Sequence, residues 1–394
     1  MKKKLSIYGC TGSIGDSTFK LFKKNNKEYQ FYILTGFKNY KKIKYIIKKY
    51  KPTFFVIFDN QTFFKIKKEY SKKDVKILNS KEFQSFRFKK SDISILAIPG
   101  IAGLNPTLSA IKFSKKILVA NKESIICGWE LINKCIKKYK VKILPVDSEH
   151  FSILKLINNL DKKYIEKIYL TASGGPFLNY PLSKMRKILP SQAINHPKWK
   201  MGKKISVDSA TLMNKIFEVI EAHKLFSIEL KKIDILIHPQ SLVHAIVKFK
   251  NGLYKFLYFE TDMSIPIGNA LFSEKFELNK IKNIHKKNNK NSLAENLNFL
   301  KVDVKKFPAI KLKPILDKHS SLPIILNAAN EIFVDQFLKK NMSFCSIINY
   351  LFNVLKDPKM RKYAIKKPSN LKTILTVDEW ARTKAMAILK SKIK

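Results

Sequence analysis

Three features of this sequence predict an α/β protein. Short apolar runs alternate with helical stretches from residue 4 to about 145, a glycine-rich turn joins the first run to the first helix, and the pattern then changes to mixed and finally helical segments. Together they imply an N-terminal Rossmann-like parallel sheet, a central α+β segment and a C-terminal helical bundle. A chain of 394 residues exceeds one small core, so several domains are expected. Their expected boundaries are 1–146, 147–272 with a mobile loop at about 195–204, a polar linker at 273–298, and 299–394.

The expected strands of the first region are 5–9, 31–35, 54–58, 75–78, 93–98, 116–120 and 141–144, each a short run rich in Ile, Leu, Val or Phe. Helical periodicity fills the intervals, as in 121–138. Downstream, 167–173 and 233–239 read as strands. The runs 244–249 and 254–260 flank "KNG", a hairpin signal. Residues 211–226 carry helical spacing. The segment 273–298 is polar and irregular, and the remaining chain is helical in pattern, including "LNAANE" and "VDEWAR".

The formal net charge is +47, which raises nucleic acid or an anionic membrane as a partner. Yet of the 77 basic residues only Arg87, Arg186, Arg361 and Arg382 are arginine, the residue that reads phosphates and bases bidentately. The excess is lysine, spread along the chain with Ile, Asn, Phe and Tyr, as an AT-rich coding sequence would produce. No nucleic-acid or membrane partner is therefore expected. The longest apolar stretch, 93–104, is broken by Pro and Gly and is too short to span a bilayer. "MKKK" leads straight into a strand with no cleavable apolar region, and Cys10, Cys127, Cys135 and Cys345 have no CxxC spacing. A cytoplasmic protein with reduced thiols is expected.

"YGCTGSIGDST" places Gly9, Gly12 and Gly15 between the first strand and the first helix, the pattern that lets a pyrophosphate approach a helix N-terminus. The second strand ends in "LTGFKNY", with Lys38 and Asn39 where NAD-binding chains usually carry an acid for the ribose 2′-hydroxyl. A cation and an amide suit a 2′-phosphate, hence NADPH.

"PVDSEH" puts Asp147 and Glu149 two residues apart at the end of a strand, so strand alternation would aim both to one side. Glu218, on the 211–226 helix, adds a third carboxylate. Acids without a cysteine partner form a hard oxygen site for Mg²⁺ or Mn²⁺, and that cation, rather than a basic residue, is expected to offset their repulsion. "LTASGGPF" ends a strand in a Ser-Gly-Gly turn at Ser173, and Ser209, Asn214 and Lys215 add hydroxyl, amide and ammonium donors for an anion. Asn214 and Glu218 should share a helix face. "NHPKWKMGKK" reads as a lid carrying His196 and Trp199.

Taken together, these motifs closely resemble the 1-deoxy-D-xylulose 5-phosphate reductoisomerase family. "GCTGSIGDST", "LVANKES", "LPVDSEH", "LTASGGPF", "HPKWKMGKKISVDSATLMNK", "FEVIEA", "IHPQSLVH" and "LNAANE" run in family order from residue 9 to 331. The resemblance implies an NADPH-dependent oxidoreductase of non-mevalonate isoprenoid biosynthesis, acting as a homodimer with one divalent cation. It implies that Thr11, Gly12, Ser13 and Ile14 wrap the NADPH pyrophosphate and that Phe37, Lys38 and Asn39 lie at the 2′-phosphate end. Asn121, Glu123 and Gly202 would also meet the cofactor. Asp147, Glu149 and Glu218 would hold the metal. Lys122, Ser148, Glu149, Ser173, His196, Ser209, Asn214, Lys215 and Glu218 would meet the phosphosugar. Lys122, Glu149, His196 and Glu218 would serve catalysis. Met263 would lie near the nicotinamide and His244 would line the pocket. Phe37 stands where the family usually has Gly, and Ser264 where Arg is common.

The implied reaction is a skeletal rearrangement, by retro-aldol and aldol steps or by alkyl shift, followed by reduction to 2-C-methyl-D-erythritol 4-phosphate. An aspartate-semialdehyde-type dehydrogenase shares the glycine loop but needs a nucleophilic Cys, and Cys127 and Cys135 fall on an expected helix of the first domain. A basic nucleic-acid-binding protein on an old enzyme fold would have no need of the metal and phosphate residues.

Overall fold

A computed structural model describes residues 2–22, 28–70, 75–199, 201–278 and 296–393. Most of the expected 273–298 linker, and Lys200 of the expected lid, lie outside the described residues. The chain divides into two compact units: 1–124, 132–151 and 262–295 form the first, and 125–131, 152–261 and 296–394 the second.

The first unit is built on seven strands, β1 (Lys3–Tyr8), β2 (Tyr29–Gly36), β3 (Phe54–Ile57), β4 (Lys76–Leu78), β5 (Ser91–Leu96), β6 (Ser114–Val119) and β7 (Lys142–Pro145). All pairings are parallel, in the order β4-β3-β2-β1-β5-β6-β7. The strands are continuous apolar runs because helices cover both faces of a parallel sheet. The order reverses between β1 and β5, so the crevice at the carboxyl end of β1 is the ligand position for a sheet of this kind. Sequence placed every one of these strands to within a few residues.

The helix Ser264–Phe272 follows the second unit's strands in sequence but packs on the first unit. Ile267, Ala270 and Leu271 are buried in the same core as Leu5, Ile7 and Phe31. Tyr29 donates to the Leu271 carbonyl at 3.1 Å, and Lys116 Nζ reaches the Ala270 carbonyl at 2.6 Å. The apolar character of this helix was legible; the core that claims it was not.

The second unit holds a mixed sheet of β8 (Ile165–Ala172), β9 (Ile233–Ile237), β10 (Val243–Phe249), β11 (Tyr254–Tyr258) and β12 (Leu300–Lys301), ordered β11-β10-β8-β9-β12. Only β8 and β9 are parallel; β10 pairs antiparallel with both β8 and β11 across the expected hairpin. The helices Lys203–Ala210, Met213–Phe226, Leu322–Leu338, Phe344–Leu355 and Leu371–Ile393 bury further apolar surface.

His238, just past β9, fixes the β9–β10 connection. Its ring stacks on Phe299 with centroids 4.7 Å apart. Nδ1 donates to the Asn298 carbonyl at 2.9 Å, and Nε2 accepts from the Leu242 N–H at 3.2 Å. Both nitrogens are thus engaged in the neutral tautomer. Burial pushes the imidazole below its ordinary value of 6.5, with the Asn298 carbonyl opposing and Lys198 reinforcing the shift. A depressed folded pKa means that the unfolded chain takes up the proton first, so this contribution is intact above the unfolded pKa and lost as pH falls toward the lower folded value. The stability gap between the native protein and His238→Gln should therefore shrink on acidification from about pH 7.5 to 5. Denaturant unfolding at several pH values measures it, and a pH-independent gap would refute the reading.

Candidate active site

The carboxyl edge of the first unit's sheet gathers the residues expected to meet the cofactor, except Gly202, and two of the expected acids. The three loop glycines have separate physical reasons. Gly9 has φ +87, and a Cβ there would stand 2.7 Å from the Ala97 carbonyl oxygen beyond β5, so it makes the tight turn at the switch point. A Cβ on Gly15 would stand 2.1 Å from the Cys10 carbonyl oxygen, so it lets the helix Ser13–Leu21 pack on the turn. Gly12 caps that helix, and a Cβ there would meet only the Gly9 carbonyl oxygen at an ordinary 3.5 Å. The protein's own packing does not require Gly12; its bare backbone keeps the helix N-terminus open to an anion. These residues fit a dinucleotide pyrophosphate.

Beyond β2, Phe37 is 55% exposed, and Lys38 Nζ lies 5.3 Å from its ring centroid. Asn39 caps the helix Tyr40–Tyr50, its Oδ1 accepting from the Lys42 N–H at 3.1 Å. Phe37, Lys38, Tyr40, Asp59, Thr62 and Lys65 line an open cleft of about 870 Å³. Asp59 is the acid of this cleft, but it accepts from Thr62 Oγ1 at 2.7 Å and from the Thr62 N–H at 2.9 Å. Those two bonds hold its carboxyl below the usual range, with Lys38 and Lys65 adding to the shift. The cleft thus presents cations to a ligand while its one lining carboxylate serves as a helix cap, which fits a 2′-phosphate better than a free ribose diol.

Asn121 caps the helix Lys122–Tyr139 through a 2.6 Å bond from the Ser124 N–H. Its Nδ2 donates to the carbonyls of Ile98 and Gly100. It therefore ties the loop after β5 to the loop after β6. Lys122 and Glu123 stand half-buried in the first turn of that helix.

The expected strand alternation of Asp147 and Glu149 is corrected. β7 ends at Pro145, and the helix Ser148–Leu156 begins immediately after it. Asp147 precedes that helix and caps it: Oδ1 accepts from the His150 N–H at 2.8 Å and lies 2.6 Å from His150 Nδ1. Glu149 is in the first helical turn, where Ser148 Oγ donates to it at 2.6 Å. The physical reason is local: an acid followed by Ser-Glu is a strong helix start, and capping wins over strand continuation.

In the second unit the turn Ser173-Gly174-Gly175 follows β8, with φ +81 and +64 at the glycines. A Cβ on Gly175 would lie 3.1 Å from Ala210 Cα and 3.4 Å from the Ser209 carbonyl oxygen, so only glycine lets this turn seat against the helix carrying Ser209. Ser173 Oγ accepts from the Gly175 N–H at 3.0 Å and lies 3.0 Å from His196 Nε2. His196 Nδ1 accepts from the N–H groups of Lys198 and Trp199 at 3.2 and 2.9 Å, which puts the ring proton on Nε2. Ser173 Oγ accordingly accepts twice, and its own proton can be donated to an anion.

Gly202 caps the helix Lys203–Ala210, and Leu212 at φ +66 turns the chain into the helix Met213–Phe226. Asn214 and Lys215 open that second helix. Asn214 Nδ2 donates to Glu218 Oε1 at 2.5 Å, as their shared helix face predicted, and Lys215 Nζ lies 2.6 Å from Glu218 Oε2. Two contacts that sequence reading did not foresee lie against the acids: Lys215 on Glu218 and His150 on Asp147. His244 is buried with Trp199 and Phe259 beside its ring, at centroid distances of 6.0 and 4.3 Å. Met263 packs on the first unit's core, and Ser264 is fully buried at the start of the helix Ser264–Phe272.

Sequence reading gave no role to His150, Asp208, Glu221 or Asn330, all at most 2% exposed. A D-x-x-H spacing at a helix start and an Asn pair in an apolar helix were the available signals. The cleft beyond β2 makes a direct prediction. Lys38→Ala should weaken NADPH binding about 10- to 100-fold, the worth of a charge-assisted bond, and leave NADH binding unchanged. Calorimetric titration of both nucleotides measures this, and equal losses would refute a 2′-phosphate role.

Comparison with known proteins gives the family. Family models match residues 5–128 (1-deoxy-D-xylulose 5-phosphate reductoisomerase), 143–226 (its C-terminal domain) and 260–384 (DXP reductoisomerase C-terminal domain). The 1-deoxy-D-xylulose 5-phosphate reductoisomerase of Pelagibacter ubique is 44% identical over 97% of this chain and 98% of its own. That of Wolbachia pipientis wMel is 40% identical over 99% of both. A solved DOX-P reductoisomerase in complex with NADPH, fosmidomycin and magnesium superimposes with a TM-score of 0.88 at 32% identity, over 98% of each chain. The Zymomonas mobilis enzyme in complex with NADPH gives 0.87 at 32% identity, over 99% of this chain and 100% of that one. Matched by the family models and at 40–44% identity over nearly its full length, the chain belongs to the 1-deoxy-D-xylulose 5-phosphate reductoisomerase family.

Proposed function

We infer that this protein catalyses the NADPH-dependent rearrangement and reduction of 1-deoxy-D-xylulose 5-phosphate to 2-C-methyl-D-erythritol 4-phosphate. What supports this reading is that the Ser173 turn seats against the helix carrying Ser209, with a Gly175 Cβ position 3.1 Å from Ala210 Cα, that Asn214 and Lys215 open the next helix, and that the chain also has a glycine loop at its switch point. NADPH supplies the hydride. A divalent cation, when bound, supplies Lewis-acid polarisation of a sugar oxygen. The donor chemistry of Asp147, Glu149 and Glu218, oxygen atoms with no thiolate, fits Mg²⁺ or Mn²⁺.

The chain's own residues divide the remaining work. Ser173 donates its hydroxyl proton, Asn214 its amide and Lys215 its charge to the phosphate, and Ser209 closes the set. Holding a group remote from the reacting carbons supplies binding energy for orientation. His196, with its proton on Nε2, and Trp199 form the lid that excludes water. Lys122, Ser148 and Glu149 orient the sugar oxygens. Thr11, Gly12, Ser13 and Ile14 wrap the pyrophosphate, Phe37, Lys38 and Asn39 hold the adenosine end, and Asn121, Glu123 and Gly202 complete the cofactor contacts. Residues up to 146, with Gly202, do the cofactor work, and residues between 147 and 261 do the metal and substrate work.

The protein acts as a cytoplasmic homodimer in this reading. All four cysteines are free thiols, and no described helix is long and apolar enough to cross a membrane. β11 is an edge strand, and Leu253, Tyr254 and Phe256 on or beside it are 57, 55 and 46% exposed. An exposed apolar edge of this kind is a template for a second copy.

Purified protein should oxidise NADPH when given 1-deoxy-D-xylulose 5-phosphate and Mg²⁺, followed by nicotinamide absorbance. Chelation should abolish turnover and Mg²⁺ should restore it. Glu218→Gln should raise the Mg²⁺ requirement at least about 10-fold; unchanged turnover at limiting Mg²⁺ would remove Glu218 from the ligands. Light scattering should report a dimer, and Phe256→Lys should shift it toward monomer; a native monomer would exclude that arrangement.

A further inference from the structure

Asp208 precedes Ser209 in the helix Lys203–Ala210 and is 1% exposed. Its two oxygens have different partners. Oδ1 accepts from Asn330 Nδ2 at 2.7 Å, and Oδ2 lies 2.9 Å from Lys204 Nζ, one turn earlier on the same helix. Asn330 is 122 residues away in sequence, fully buried in the helix Leu322–Leu338 among Ile324, Ile325, Leu326, Ala328 and Ala329. An amide in such surroundings costs free energy unless it is bonded. Its Oδ1 accepts from no described residue, so only one of its two polar ends is used. The direction of the contact is fixed: a flipped amide would set a carbonyl oxygen against a carboxylate.

Successive helical residues point about 100° apart. Tying Asp208 into the core therefore sets where Ser209 points. The opposite restraint comes from Gly175, whose Cβ position is 3.1 Å from Ala210 Cα, leaving the Ser173 turn and the Ser209 helix no room to close further. The left-handed Leu212 then carries the chain to Asn214 and Lys215. One buried bond thus governs the last turn of the helix on which the phosphate donors are registered.

We propose that Asp208 and Asn330 are positioning residues for the substrate phosphate: Asn330 holds Asp208, and Asp208 fixes the last helical turn so that Ser209 meets the same anion as Ser173, Asn214 and Lys215. The proposal rests on the reductoisomerase reading. Neither residue touches substrate; both act through Ser209.

The test is a double-mutant cycle on the full-length enzyme at saturating NADPH and Mg²⁺. Asn330→Ala should raise KM for 1-deoxy-D-xylulose 5-phosphate about 5- to 20-fold, with KM for NADPH unchanged, and should have little further effect in a Ser209→Ala background. Asn330→Asp keeps the volume and adds a pH readout. While the new carboxyl is protonated it donates to Asp208; once ionised, two acids face each other. Its sugar-phosphate KM relative to native should stay near native at about pH 6 and rise about 10-fold by about pH 8. Multiplicative effects of Asn330→Ala and Ser209→Ala, or a flat KM ratio for a folded Asn330→Asp, overturn the proposal alone. Native enzyme that fails to oxidise NADPH with the sugar phosphate overturns the underlying reading, and this proposal with it.

Discussion

Charge withdrawn from water is the constraint around which the second unit is organised. Asp208, Lys215, Glu218 and Glu221 are each at most 6% exposed, within one helix–turn–helix segment. A carboxylate or ammonium in such a place destabilises the fold by several kcal/mol unless it is paired and hydrogen-bonded. Glu218 accordingly takes Lys215 and Asn214, and Asp208 takes Lys204 and Asn330. The same burial is what makes the segment useful. Charges held in a low-dielectric setting interact more strongly with an incoming phosphate or cation than they would at a wet surface.

The first unit solves a different problem, bringing backbone close to an anion. Gly9 and Gly15 are required by the protein's own atoms, at the turn and at the helix–strand contact. Gly12 is not, and its bare backbone leaves the helix N-terminus open to an anion. The cleft beyond β2 adds lysines whose local acid, Asp59, is committed to a helix cap. Selection of a 2′-phosphate follows from that commitment as much as from the lysines themselves.

A chain carrying +47 could be expected to scatter its cations over the surface, and most lysines are indeed solvated. The rare arginine is used otherwise. Arg382 joins Asp378 on its own helix, at 2.6 Å, to Glu331 on the helix Leu322–Leu338. Glu331 is the neighbour of Asn330, so this planar fork braces the helix that holds Asp208. The C-terminal helices are therefore tied, through Asn330 and Asp208, to the helix that carries Ser209.

By itself the sequence determined the parallel sheet, the glycine loop, and the shared face of Asn214 and Glu218. Those features are local: strand and helix periodicity, a turn that only glycine can make, and i,i+4 spacing are all written within a few residues. Tertiary structure alone decided the rest. It showed that Asp147 caps a helix instead of ending a strand, that the helix Ser264–Phe272 belongs to the first unit's core, that Lys215 and His150 lie against the acids, and that Asn330 grips Asp208 from 122 residues away. Capping competition, core packing and the pairing of buried charges depend on which surfaces meet in space, and no local spacing encodes that meeting.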